Sequence, residues 1–214
     1  MLRRPITFLA LGAVLAVTAP VIAATLTPAP AVAACPDIEV IFARGTDEPP
    51  GIGRVGDAFA SSLRSQVGGR SVNTYGVNYP ASYDFRAAAD GANDASARVQ
   101  DMANTCPDTR LVLGGYSQGA AVVDVVAAVP VPGLGFTAPL PPDAAEHIAA
   151  LAVFGNPSNR LGQPLTNSPV YAGRAIDLCT DGDPICSDGQ NVGAHSSYTP
   201  GMTNQAASFA AGMV

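Results

Sequence analysis

The sequence predicts an α/β domain built on a parallel sheet, and two observations carry that prediction. Short apolar runs alternate with segments of helical periodicity along most of the chain. One of those runs, Leu111-Val112-Leu113-Gly114, passes through Gly115-Tyr116-Ser117-Gln118-Gly119 directly into Ala120-Ala121-Val122-Val123. A strand that turns into a helix through G-x-S-x-G is a nucleophile elbow. The turn exposes the serine, the flanking glycines leave room for backbone packing, and free N–H groups of the first helical turn face any oxyanion that forms.

The elements follow in order. Ile38 to Phe42 forms the first strand, and Val55, Phe59, Leu63 and Val67 then recur every four residues on one helix face. Val72 to Tyr79 is a second strand, stopped by Pro80. Ala88, Ala92, Ala95, Val99, Met102 and Ala103 keep helical spacing up to Cys106-Pro107, and Arg110 to Gly114 is the strand that delivers Ser117. Gln118 to Val129 is apolar apart from Asp124, which predicts a helix buried against the sheet. Ala149 to Phe154 and Gly173 to Leu178 complete five strands, and Met202, Ala206, Phe209 and Met213 mark a closing helix. Such alternation predicts a parallel sheet covered on both faces, with ligands at the carboxyl ends of its strands, where Ser117 lies.

The beginning of the chain reads differently. Arg3 and Arg4 give a positive start, Ile6 to Val17 is apolar and uncharged, and small residues follow, with Ala31-Val32-Ala33 or Val32-Ala33-Ala34 as cleavage sites. The expectation is a signal peptide over 1–34 and one catalytic domain over 35–214, hence an extracellular protein, with cell-envelope association as a variant of that location. Pro5 and Pro20 interrupt the apolar run, and a membrane helix needs about 20 apolar residues. A lipoprotein box ending at Cys35 is the rival reading. A Pro-rich spacer separates Cys35 from the apolar run, and lipidation would strand one of four cysteines. Four cysteines in an exported chain suggest two disulfides, with three possible pairings; the neat one joins Cys35 to Cys106 and Cys179 to Cys186.

Without Arg3 and Arg4 the formal net charge moves from −6 to −8, and the chain has no lysine. Scattered arginines on an acidic chain exclude nucleic acid as a partner. The missing lysine excludes Ser-Lys and Schiff-base chemistry. The size fits one domain, expected to be a monomer without stable membrane insertion.

A serine nucleophile needs a base, and the chain has two histidines, His147 and His195. In α/β-hydrolases the chain order is serine, acid, histidine, which fits His195. His147 follows the helix-start signal Pro141-Pro142-Asp143 and reads as an ordinary helical histidine. Asp177, Asp181, Asp183 and Asp188 qualify by position as the acid. Asp177 falls inside the last strand, and Asp188-Gly189 is turn chemistry. Asp181 and Asp183 remain, both inside Cys179-Thr180-Asp181-Gly182-Asp183-Pro184-Ile185-Cys186. A disulfide closing that ring gives only about 2.5 kcal/mol by loop-closure entropy, against about 4.4 for a ring from Cys35 to Cys106. Its purpose is then to position a carboxylate. A metal reading of Cys179 and Cys186 fails on spacing and on further ligands.

Four ordered motifs now stand together: Phe42-Ala43-Arg44-Gly45-Thr46 after the first strand, Gly-Tyr-Ser-Gln-Gly, Cys-x3-Asp-Pro-Ile-Cys, and the following His195. They resemble the cutinase family of secreted serine esterases from Cys35 onward, and most of all the cutinase-like proteins of mycobacteria and related actinobacteria. The resemblance implies a compact α/β-hydrolase: a three-layer sandwich with a five-stranded parallel sheet, no large lid, and disulfides Cys35–Cys106 and Cys179–Cys186. It implies that the acid is Asp183, three residues before the closing cysteine, and that Thr46 and Gln118 form the oxyanion hole. Thr46 keeps the hydroxyl that many fungal relatives supply from serine and adds a methyl group. Val129 to Pro142 is a longer apolar connection than shorter members need, either a rigid surface loop or a partial flap over the acyl site.

The expected function is a secreted carboxylic ester hydrolase acting through an acyl-enzyme on Ser117, with no cofactor. Tyr79 to Phe85 and Ile185 could form an apolar rim that meets lipid or polyester chains. The alternatives are an acetyl-polysaccharide esterase of the same fold and a secreted binding protein that has lost catalysis.

Overall fold

The computed structural model of the protein describes residues 34–128 and 135–214. The expected signal peptide, up to Ala33, and residues 129–134 of the long connection lie outside the described residues.

Five strands form one parallel sheet: β1 Ile38–Ala43, β2 Val72–Gly76, β3 Arg110–Tyr116, β4 Ile148–Phe154 and β5 Ala175–Leu178, in the order β2-β1-β3-β4-β5. The helices are α1 Gly53–Gln66, α2 Ala88–Thr105, α3 Gln118–Ala128, the short α4 Pro142–Glu146 and α5 Gly201–Ala211. Alternation along the strands divides the core in two. Ile38, Val40 and Phe42 of β1 face Val55, Phe59 and Leu63 of α1 and Ala206 and Ala210 of α5. Ile41 and Ala43 face the other way, toward Ala95 and Val99 of α2 and Val122 and Val123 of α3. Every residue of β4 is buried, as a strand covered on both faces must be. Glu39, the one acid in β1, is buried but held by two hydrogen bonds from the Arg98 guanidinium, at 2.7 and 2.8 Å.

The sequence places the elements correctly and misplaces some ends. β2 stops at Gly76 rather than Tyr79, because after Val77 the carbonyls turn to a side chain: Arg44 donates to Val77 O at 3.3 Å and to Tyr79 O at 2.7 Å. β3 runs two residues further than expected, since Gly115 and Tyr116 still pair with Val153 and Phe154 of β4. β5 begins only at Ala175, after a 3-10 turn over Ala172–Arg174. Residues 135–142 pack on α2: Asn93 donates to Gly135 O at 2.9 Å and accepts from Thr137 N at 2.8 Å, and Phe136 is buried in the core. That part of the long connection is a surface loop and lines no part of the cleft described below.

Both expected disulfides are present. Cys35–Cys106 ties the start of β1 to the end of α2, and Cys179–Cys186 closes the ring after β5. Among the described residues no helix is long and apolar enough to cross a membrane.

A buried polar cluster joins α3 to β5. Asn156, fully buried after β4, donates to Asp124 at 3.1 Å and to Asp177 at 2.9 Å, and Asn159 and the Leu165 N–H donate to Asp177 at 2.8 and 3.0 Å. Burial outweighs the hydrogen bonds from Ser158 and Asn156 and pushes the Asp124 carboxyl up to about 6. Burial likewise raises Asp177. A carboxyl raised on folding contributes stability that is fully present below its unfolded pKa and is lost as pH rises through its folded value. Asp124→Asn removes that dependence. The expected outcome is that the variant gains on the wild type by about 2 kcal/mol between pH 4 and pH 7, read from denaturant midpoints at the two pH values. A difference that does not change with pH would show that Asp124 is not the group responsible.

Candidate active site

Ser117 sits at the carboxyl end of the central strand β3, one residue before α3, with a φ of 57°. A side chain there is strained by roughly 1–3 kcal/mol, and the surroundings over-determine it. Its N–H donates to Phe154 O at 2.9 Å, and its carbonyl accepts from Ala120 N at 2.9 Å. The two flanking glycines explain the turn. A methyl group on Gly115 would lie 2.1 Å from Gly119 O, and one on Gly119 would lie 1.9 Å from Ala43 O. Neither position accepts a side chain, so the backbone can close tightly on both sides of the serine.

His195 stands on a short 3-10 turn, Val192–Ser196, capped by Asn191, whose side chain accepts from Gly193 N at 3.1 Å. Its Nε2 lies 2.8 Å from Ser117 Oγ, and its Nδ1 lies 2.7 Å from Asp183 Oδ2. Asp183 is completely buried, whereas Asp181 is exposed on the same ring. Asp183 Oδ1 accepts from Ile185 N at 2.8 Å, and Oδ2 also accepts from the Tyr198 hydroxyl. The carboxylate thus has no contact with water and three donors. His147 caps α4, far in the fold from these groups, and Asp177 and Asp188 are engaged elsewhere. An imidazole between a hydroxyl and a buried carboxylate can take the hydroxyl proton and be stabilised as imidazolium.

Thr46 and Gln118 face the same cleft as Ser117 and His195. The Thr46 hydroxyl donates to Gln118 Oε1 at 3.3 Å, and Gln118 Nε2 donates to Ser82 O at 2.9 Å. Gln118 is the first residue of α3, so its N–H has no preceding turn to accept it and is free for an oxyanion. The loop carrying Thr46 is fixed by Arg44, quoted in the first motif without a role of its own, and by Glu48, which the sequence reading does not single out. Buried Arg44 clamps Glu48 O, Val77 O and Tyr79 O, while the Glu48 carboxylate accepts from Gly45 N at 2.7 Å and Arg54 N at 3.0 Å. The tyrosines were also missed. Tyr116 stacks on the His195 ring at 5.0 Å and donates its hydroxyl to His195 O at 2.5 Å; burial pushes its phenol up to about 12. Its place inside the serine motif was the available signal. Tyr198, three residues beyond His195, had none but its proximity.

The cleft has a volume of about 670 Å³. Beside Thr46, Ser117, Gln118 and His195 it is lined by Tyr83, Phe85, Tyr116, Pro157, Arg160, Leu161, Pro184 and Ile185. Tyr83 and Leu161 are about three-quarters exposed, at 74% and 76%. Tyr79, expected at the rim, is instead buried with its hydroxyl on Arg44 O.

The family model described as Cutinase matches residues 34–214. This chain belongs to the cutinase family. Among curated cutinase-like relatives, it is 64% identical to the phospholipase Culp4 of Mycobacterium tuberculosis, over 88% of this chain and 85% of that protein. It is 50% identical to the probable carboxylesterase Culp3 of the same organism, over 98% of this chain and 84% of that protein. A solved acetylxylan esterase superposes with a TM-score of 0.72 at 26% identity, covering 84% of this chain and 99% of the other. Trichoderma reesei cutinase, solved with a phosphonate inhibitor, gives 0.68 at 32% identity, covering 84% and 77%. The chain is accordingly a cutinase-like carboxylic ester hydrolase with the α/β-hydrolase fold.

The glycine packing generates a sharp expectation for this member of the cutinase family. Gly119→Ala forces α3 away from β1, because the obstacle is backbone rather than a movable side chain. A loss of about 3 kcal/mol or more in denaturant unfolding is expected, together with loss of esterase activity. Unfolding at the wild-type midpoint would mean that the turn can relax.

Proposed function

We propose that the enzyme cleaves acyl esters of lipids or polyesters through a covalent acyl-enzyme on Ser117. The observation that carries this reading is the unbroken hydrogen-bonded series Ser117, His195, Asp183, with contacts of 2.8 and 2.7 Å, opening into an apolar-walled cleft. In the proposed mechanism His195 removes the Ser117 proton as the hydroxyl attacks the ester carbonyl. Asp183 holds the imidazole by Nδ1 and stabilises its cationic form. Thr46 and the Gln118 N–H receive the oxyanion, each such donor being worth roughly 3–4 kcal/mol in related chemistry. The proton then passes from His195 to the leaving alcohol, and water, with His195 again as base, releases the acid.

The exposed apolar side chains Tyr83, Phe85, Leu161 and Ile185 support an acyl chain or an apolar surface as the partner. The name of Culp4 points to phospholipid among the lipid esters. A second reading, removal of acetyl groups from polysaccharide, is favoured by the superposition on acetylxylan esterase. The two disulfides and the N-terminal pattern support export after removal of residues 1–34, leaving a catalytic domain over 35–214 that works as a monomer outside the cell or at its envelope.

The test is initial rates on p-nitrophenyl esters of two to sixteen carbons, with Ser117→Ala beside the wild type. The expected result is greatest turnover at medium chain length and a loss of about 10⁴-fold or more in the variant. Turnover confined to acetate would select the polysaccharide reading, and activity retained in the variant would refute Ser117 as nucleophile.

A further inference from the structure

We propose that Tyr198 is a positioning residue of this site, whose hydroxyl fixes the Asp183 oxygen that faces His195 and sets how strongly that oxygen attracts the imidazole proton. The proposal rests on the reading of Ser117, His195 and Asp183 as the catalytic triad.

The hydrogen-bond directions follow from chemistry. Thr180 N lies 3.3 Å from the Tyr198 oxygen, and an N–H can only donate, so the phenol accepts there. Its own proton is then available to Asp183 Oδ2, an acceptor when ionised and the same atom that receives His195 Nδ1. Cys186 Sγ is 3.3 Å from the same phenol oxygen. Thr180, Asp183 and Cys186 all belong to the ring closed by Cys179–Cys186, so one hydroxyl is the peg on which that ring is set. The phenol has no alternative role at the surface. Tyr198 is fully buried, with its ring edge-on to His195 at 6.2 Å, to Tyr116 at 5.7 Å and to Phe154 at 6.1 Å. It therefore touches the strand end before Ser117, the strand end of β4 and the imidazole, while its oxygen holds the acid. Burial, then the Asp183 contact, push the phenol pKa up, so it keeps its proton throughout the working range.

A second donor on Oδ2 draws negative charge away from the bond to His195. Removing it has two consequences with separate signatures. The carboxylate becomes freer to rotate, which lowers kcat without touching the substrate. Oδ2 also becomes more basic, favouring imidazolium, so the acidic limb of kcat/KM moves to higher pH. A tyrosine that merely filled space would cost stability and leave the pH profile in place.

The experiment compares oxidised wild type, Y198F, D183N and D183N/Y198F on p-nitrophenyl butyrate from about pH 5 to about pH 9. Y198F is expected to lower kcat about tenfold to a hundredfold with KM little changed, and to move the acidic limb upward. In the D183N background the same substitution is expected to cost less than about threefold, since the effect acts through Asp183. An equal loss in both backgrounds, or an unmoved acidic limb, overturns the proposal. Should Y198F not fold, 3-fluorotyrosine at position 198 keeps the hydroxyl as a stronger donor. The acidic limb must then move to lower pH, and a limb that stays in place overturns the proposal. Ser117→Ala run in parallel separates the two levels. Turnover retained there overturns the triad reading and this proposal with it, whereas turnover lost there with an unaffected Y198F overturns this proposal alone.

Discussion

The backbone of Gly119 lies so close to the Ala43 carbonyl that a methyl group would sit 1.9 Å from that oxygen, and the site is organised around that approach. It brings the first turn of α3 against the end of β1, where the chain runs on into Arg44, Gly45 and Thr46. The two proposed oxyanion donors, Thr46 and Gln118, come from segments 72 residues apart and meet because one glycine has no side chain. Gly115 lies equally close to the Gly119 backbone, which closes the turn itself. Between them Ser117 is held at a φ its residue type disfavours, and the cost is carried by β3, buried on both faces in the middle of the sheet.

The other half of the site solves a different problem, that of keeping a charge away from water. An ionised carboxylate without solvent is unfavourable by several kcal/mol unless its lone pairs are filled. Asp183 has Ile185 N, the Tyr198 hydroxyl and His195 Nδ1 around it, drawn from two segments. The small ring closed by Cys179–Cys186 supplies one of those donors and the carboxylate itself, and the segment that carries His195 supplies the other two. His195 comes on a separate turn, stacked on Tyr116 and edge-on to Tyr198. The hydrogen bonds around Asp183 and the aromatic packing around His195 together hold the imidazole on the line from Asp183 to Ser117.

What the sequence made legible was whatever has a local period or a local motif. The strands and helices were readable because alternation and the repeat of Val55, Phe59 and Leu63 are local consequences of burial. Ser117 announced itself by its glycines, and His195 by elimination, since the chain offers only one other histidine. The choice of Asp183 over Asp181 came from family resemblance, not spacing; in the structure it coincides with the difference between a buried and an exposed carboxylate. The end of β2 was misjudged because a distant side chain intervenes, Arg44 at Val77 and Tyr79. Tyr198, Glu48 and the Asp124, Asn156 and Asp177 cluster were not legible for the same reason. Each is defined by partners that meet only after the sheet has formed, and nothing in the local sequence marks a side chain by what it will touch.

The composition of the cleft bears on what an ester must bring to it. Away from Thr46, Ser117, Gln118 and His195 its walls are mostly aromatic, aliphatic and proline side chains, and among the described residues Arg160 is the one arginine lining it, donating to Pro184 O at 3.0 Å on the loop that carries Asp183. A polysaccharide needs many hydrogen-bonding partners along its length, because each hydroxyl taken from water unpaired costs about 1–3 kcal/mol. An acyl chain needs none and gains roughly 25 cal/mol for each Å² it covers. Tyr83, Phe85, Leu161 and Ile185 project from three separate stretches of chain around one opening, so the apolar area is shared by the mouth and is not the accident of one loop. The same side chains that make the mouth unfavourable in water would be favourable against the lipid or polyester surface proposed as substrate, where their exposure would end.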